Sequence, residues 1–124
     1  MDINVTPAWT RGYYGAGVTI AVVDDGLEYT HEDLCGNVKT SLNHNYLTDK
    51  TDINSGEHGT SVAGVAAAIH YNYSGGKGAA PEAWLVGYNL LQSYDSINEQ
   101  DAMVRNINDI DISNNSWGPP DGYG

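Results

Sequence analysis

The sequence predicts an α/β fold in which a parallel sheet carries helices on both faces. Two observations carry that expectation. The runs Val18 to Val23 and Trp84 to Leu91 are apolar, strand-length and without polar alternation, which suits strands buried on both faces of a sheet. Between them Val62, Val65, Ala66 and Ile69 fall at i, i+3, i+4 and i+7, the spacing of one helical face. A second helical stretch and a third strand follow. The order strand, helix, strand, helix, strand implies right-handed crossovers between parallel strands.

Taken along the chain, Thr6-Pro7 reads as a helix start, with Thr6 as N-cap, Pro7 in the first helical position and Gly12 as the stop. Gly15-Ala16-Gly17 is a turn into the first strand. Residues 26–57 are rich in Asn, Asp, Thr and Ser and read as loop. A helix begins near Gly59, and its small residues Ala63, Gly64, Ala67 and Ala68 permit close packing. Residues 72–78 form a glycine-rich loop. Ser96-Ile97-Asn98-Glu99 has the capping-box pattern, and Ile97, Asp101, Val104 and Ile107 give the helix that follows a weak face. Ile110 and Ile112 open a third strand that runs to Asn114.

The chain has 124 residues, enough for one domain, and a net charge of -11. Five Lys and Arg make no basic stripe, so nucleic acid is excluded as a partner. The acidic surface suits cationic ligands, basic peptides or metal ions, and serves equally for solubility alone. Cys35 is the only cysteine, so no internal disulfide forms. No apolar run reaches membrane-spanning length. Met1 to Asn4 lacks the basic and apolar segments of a signal peptide, so the protein is intracellular or its native start lies upstream.

Ligands of open α/β sheets bind at the C-terminal ends of strands. Asp24-Asp25 and Asn114 to Gly118 occupy two such ends. Two adjacent carboxylates repel, so at least one needs a cation or proton nearby; a solvated pair that caps the turn through Gly26 is the plainer alternative. His58, alone among four histidines, opens a helix of small residues, where the positive helix terminus disfavours imidazolium and suits a neutral base. His31, His44 and His70 share no metal-site spacing.

Together, Val22-Val23-Asp24-Asp25-Gly26 and His58-Gly59-Thr60-Ser61-Val62-Ala63-Gly64 resemble the Asp and His motifs of the subtilisin-like serine proteases, in the acid-then-base order of that family. Asn115-Ser116-Trp117-Gly118-Pro119 is similar to the substrate-binding strand of its kexin and furin-like branch, and Asp2 to Trp9 resembles the segment that leads into those domains. The resemblance implies a subtilisin-like fold. It assigns Asp24 as the acid that orients His58, and His58 as general base toward a serine. Asp25 would lie near the pocket for the residue before the cleaved one and favour a basic side chain. Ser116, Trp117 and Gly118 would pair with an extended substrate as an added strand. Asp121 would line the pocket for the cleaved Arg or Lys; as part of Pro-Asp-Gly it reads equally as a turn residue. The acidic segment that recognises a basic residue further upstream is not matched around Gln92 to Gln100.

The resemblance also implies calcium. Asp33 matches a carboxylate ligand, and the loop from Ile69 to Gly76 a calcium loop, with Asn72 giving a side-chain oxygen and Ile69, Ser74 and Gly76 carbonyls. A glycine-rich connector without metal is the alternative. The triplets at Asn4, Asn72 and Asn114 fit the glycosylation pattern, which is common by chance.

The family nucleophile lies in a Gly-Thr-Ser helix start after the substrate-binding strand, and residues 1–124 do not reach it. The chain is therefore expected to be the N-terminal, truncated part of a peptidase domain, secreted or periplasmic by resemblance and inactive alone. A non-catalytic fragment or pseudoprotease that binds basic peptides is the alternative. A phosphorelay receiver, also α/β with an Asp pair, needs an acceptor Asp after its third strand and a late lysine. Asn114-Asn115 and a last lysine at Lys77 exclude it.

Overall fold

The computed structural model of the chain describes residues 2–70 and 76–120. Its elements are α1 (Thr6–Thr10), β1 (Thr19–Asp24), β2 (His44–Asn45), α2 (Glu57–Ala67), β3 (Trp84–Asn89), α3 (Ser96–Val104) and β4 (Ile112–Asn114), with short 3-10 turns at Thr40–Leu42 and Leu91–Ser93. The four strands form one sheet in the order β2-β3-β1-β4. Every pairing is parallel, and Asp24 lies opposite Asn89 while Val22 lies opposite Asn114.

All six residues of β1 are buried. Ile20 and Val22 point to a cluster with Leu27, Leu34, Val38, Ile53, Ala63, Ala67, Ala83 and Leu85. Ala21 and Val23 point to the opposite cluster with Val86, Tyr88, Leu90 and Ala102. Both faces are covered, which is why the run is continuously apolar. Complete burial of Val22 and Val23 contributes about 2 kcal/mol each. Ala63 and Ala67 place α2 on one face; Ala102 places α3 on the other. The expected layer order is thus present.

The helix faces differ from the expected ones. α2 starts at Glu57 rather than near Gly59 and ends before Ile69. Its buried residues are Gly59, Ala63 and Ala67; Val62 and Ala66 of the expected stripe pack half-buried against the core, and Val65 is 78% exposed. A β carbon on Gly59 would run into the Gly26 carbonyl oxygen and sit 3.1 Å from the Asp24 β carbon. Only small residues allow that approach, so packing distance rather than hydrophobicity chose the face. In α3 the buried residue is Ala102, Ile97 and Val104 stand out in solvent, and Ile107, also exposed, lies past the helix end. Its cap is Asp95, one residue before the expected Ser96, with a carboxylate that accepts the Asn98 N–H at 2.7 Å. In α1 Val5, not Thr6, occupies the cap position, without a side-chain bond, so Pro7 is the second helical residue rather than the first.

Strand limits shift by a few residues. β1 includes Asp24 but not Val18, β3 stops at Asn89, and Ile110 precedes β4. The 26–57 segment is not all loop: β2 joins the edge of the sheet beside β3. Its backbone pairing, supported by Asn43 and Asn45 side chains that bond Gly87 N–H and the Asp52 carbonyl, leaves no apolar pattern in the sequence.

Candidate functional site

β1 ends by delivering Asp24, fully buried, to the C-terminal edge of the sheet. Gly26 then turns the chain at φ +124°, a conformation open to glycine, with the Ser55 backbone against it. This tight turn lets the first turn of α2 sit on the Asp24–Gly26 backbone. The Asp25 Oδ1 accepts the Gly59 N–H at 2.8 Å, satisfying one of the unpaired donors at the start of α2. The pair of acids is thereby split: Asp24 turns inward, and Asp25 holds the helix.

His58, in that first turn, brings Nδ1 to 2.9 Å from Asp24 Oδ1 and 3.0 Å from Oδ2. Asp24 Oδ1 also accepts the N–H of Asp25 at 2.8 Å. The Asp24 side chain is 0% exposed and that of His58 is 58% exposed. A carboxylate fixed in the protein thus anchors one ring nitrogen and leaves Nε2 as the working edge of the ring. The hydrogen bond and charge of Asp24 raise the His58 pKa above its usual 6.5. This reverses the expectation from the helix terminus. A full charge in hydrogen-bond contact outweighs the half charge of a helix end.

The Ser116–Gly118 segment follows β4, the strand beside β1. Trp117 Nε1–H donates to the Val23 carbonyl at 2.8 Å, so the indole is tied to the strand that ends in Asp24. Ser116 Oγ accepts from Asn114 Nδ2 at 2.8 Å. A mainly apolar hollow of about 460 Å³ is lined by His58, Val62, Val65, Asn114 and Ser116. A second hollow, of about 560 Å³, lies between Leu91, Tyr94, Trp117, Gly118 and Pro119. Tyr94 meets Trp117 edge-on at 5.8 Å. Leu91 and Tyr94 were not singled out by the sequence, because nothing local marks a tyrosine that reaches a tryptophan so far along the chain. Ser61 donates its hydroxyl to the Glu57 carbonyl at 2.9 Å within α2.

Of the residues expected to hold calcium, Asp33, Ile69 and Gly76 are described; Asn72, Ser74 and the substrate candidate Asp121 lie outside the described residues. The Asp33 carbonyl accepts the Ile69 N–H at 2.9 Å, so the acid's turn adjoins the start of the loop. The chain after the loop is tied to the C-terminal end of α2 by Gly78 N–H to the Ala68 carbonyl and Ala80 N–H to the Ala66 carbonyl. Nothing lies within 4 Å of a β carbon built on Gly76. Asp33 is half-buried, and a carboxylate and carbonyls are oxygen donors of the kind that a hard cation such as calcium takes. Among the described residues no three His, Cys, Asp or Glu side chains converge as a metal cluster.

An acid-anchored histidine at the C-terminal edge of a parallel sheet, with acid before base in the chain, has the architecture of a subtilisin-like hydrolase. The chain belongs to the subtilase family of serine proteases: residues 15–124 match the family model described as Peptidase_S8, Subtilase family. It is 38% identical over 128 residues to furin-like protease 2 of Drosophila melanogaster, covering 98% of this chain and 8% of that protein. It is 35% identical over 130 residues to furin of Bos taurus, covering 97% and 16%. The crystal structure of the Aeromonas sobria serine protease with its chaperone superposes with a TM-score of 0.75 at 37% identity, over 87% of this chain and 19% of that one. The kexin and furin-like branch is thus supported, and the chain spans under a fifth of the length of each of these relatives. No described helix is long and apolar enough to cross a membrane.

Proposed function

We propose that this chain supplies the acid–base pair and the substrate strand of a serine endopeptidase that cleaves after basic residues, paired ones above all. The observation that carries the reading is the contact of buried Asp24 with Nδ1 of exposed His58. In this reading Nε2 of His58 takes the proton of a serine hydroxyl as that oxygen attacks the substrate carbonyl. Asp24 stabilises the imidazolium and keeps the ring aimed. Ser116, Trp117 and Gly118 pair with the extended substrate, Asp25 faces a basic side chain, and Asp121 a second one.

In this reading the nucleophile is neither Ser61 nor Ser116. Ser61 is bonded into its helix, and Ser116 belongs to the substrate strand. The chain alone is therefore expected to bind but not to hydrolyse peptides. A peptide-cleavage assay on the isolated chain should show no turnover; cleavage that His58→Ala abolishes would sink that expectation. The second reading, a non-catalytic binder of basic peptides, draws on the net charge of -11 and would give binding with no turnover even in the longest natural form.

Calcium belongs to the same proposal. Asp33 with Ile69, Asn72, Ser74 and Gly76 would hold it, and the bound ion would cross-link the loop to the Asp33 turn. A melting temperature that rises with calcium and falls on chelation is the expected result. Export from the cytoplasm is proposed by likeness to furin and to the Aeromonas protease, and fractionation of cells expressing the natural gene tests it.

A further inference from the structure

Both ends of the 69–77 loop are gripped by one pair of aromatic rings from the start of the chain. Trp9 lies in α1, and its indole Nε1–H donates to the Ala79 carbonyl at 2.9 Å. The Lys77 ammonium sits over the same ring, 3.7 Å from its centre. Tyr14 stacks on Trp9 with centres 6.3 Å apart and planes 4° from parallel. It also stacks on His70 at 5.4 Å, and its carbonyl accepts the Glu82 N–H at 3.0 Å. His70 follows Ile69 and Lys77 follows Gly76, the two described positions assigned above to carbonyl ligands.

We propose that Trp9, Tyr14 and Lys77 are positioning residues that set the spacing of the two ends of this loop, with or without metal. The calcium side of the idea rests on the calcium reading given above. A site whose ends are already fixed loses less freedom when an ion binds, so fixing them raises affinity. Lys77 makes the idea open to a decisive sign. A lysine next to a cation site repels the cation, so charge alone predicts that its removal tightens calcium binding. If the ammonium instead anchors the loop on the Trp9 face, its removal loosens the site.

The experiment uses the whole chain as wild type, Lys77→Met, Lys77→Arg, Trp9→Leu and Trp9→Phe. Calcium affinity is measured by calorimetry. In the presence of a chelator, chymotrypsin cutting after Tyr71 and Tyr73 is followed by mass spectrometry, with cutting after buried Tyr88 as the control for global unfolding. Lys77→Met and Trp9→Leu are expected to bind calcium at least fivefold more weakly and to be cut in the loop at least threefold faster than wild type. Lys77→Arg restores both properties, and Trp9→Phe, which keeps a ring but not the N–H, falls between. Should Trp9→Leu raise cutting at Tyr88 as well, the exposed Lys77 substitution carries the test. Tighter calcium binding by Lys77→Met with unchanged loop cutting overturns the proposal. Faster loop cutting in a chain whose wild type takes up no calcium supports the positioning role and removes the calcium reading alone.

Discussion

His58 and His44 titrate in opposite senses, and the cause in each case is the ratio of exposure to partner strength. His58 is raised by the Asp24 hydrogen bond and charge. Its protonated form is favoured on folding, so its contribution to stability is complete below pH 6.5 and disappears as pH rises through the raised folded value. His44 is lowered, first by burial and then by Arg105, although Asp49 lies 3.3 Å away. Burial prevails because Asp49 is 92% exposed and its charge is screened by water. Stability associated with His44 is therefore complete above pH 6.5 and falls as pH drops below it. In denaturant titrations from pH 5 to 8, the stability of wild type relative to His58→Gln should fall as pH rises, and that of wild type relative to His44→Gln should rise. In a nuclear magnetic resonance titration, Asp24→Asn should bring the His58 pKa down from its raised position. An unchanged value would mean that the carboxylate does not hold the ring. The Asp24 and His58 pair was legible in the sequence because each sits in its own short motif. The sense of the His58 shift was not, since it depends on a contact across 34 positions of chain.

Among the elements, α2 shows how far pattern reading goes. Its existence follows from the small residues, but its limits, Glu57–Ala67, do not, and of the Val62, Val65, Ala66 and Ile69 stripe only Val62 and Ala66 pack on the core. Gly59→Ala tests the point. Alanine improves helix propensity by about 1 kcal/mol. The added methyl meets the Gly26 carbonyl, a backbone group that cannot rotate away, and overpacking of this kind costs about 3 kcal/mol. The net expectation is a loss of about 2 kcal/mol in denaturant unfolding, together with a weakened Asp24–His58 contact. At α3, Asp95→Ala removes the carboxylate that accepts the Asn98 N–H and should lower stability by about 1 kcal/mol, whereas Ser96→Ala should change it little. The sequence leaves the cap ambiguous by one residue because both Asp95 and Ser96 are good cap residues, and only backbone angles choose between them.

In the molecule taken together, β4 is an open parallel edge among the described residues. It pairs with β1 on one side, and Ile112 is 50% exposed, as are Met103, Val104 and Ile107 nearby to similar or greater extents. An uncovered edge of this kind invites association with other strands. The isolated chain should therefore self-associate at high concentration, and Ile112→Lys should shift sedimentation toward the monomer. A monomeric wild type at all concentrations would show that the edge is protected in some other way.

The sequence alone determined the α/β class, the acid-before-base order and the membership of the subtilase family, because each is written in contiguous runs: a buried strand, a helix start and a strand end. Tertiary structure alone decided which helix faces are buried and that β2 completes the sheet. It alone turned Asp25 to the helix amide and Asp24 to the histidine. It alone gathered Trp9, Tyr14, His70 and Lys77 around one loop. The physical reason is that these outcomes depend on distances between segments far apart in the chain. Close backbone approach, side-chain stacking and the balance of burial against charge are set only when the layers come together.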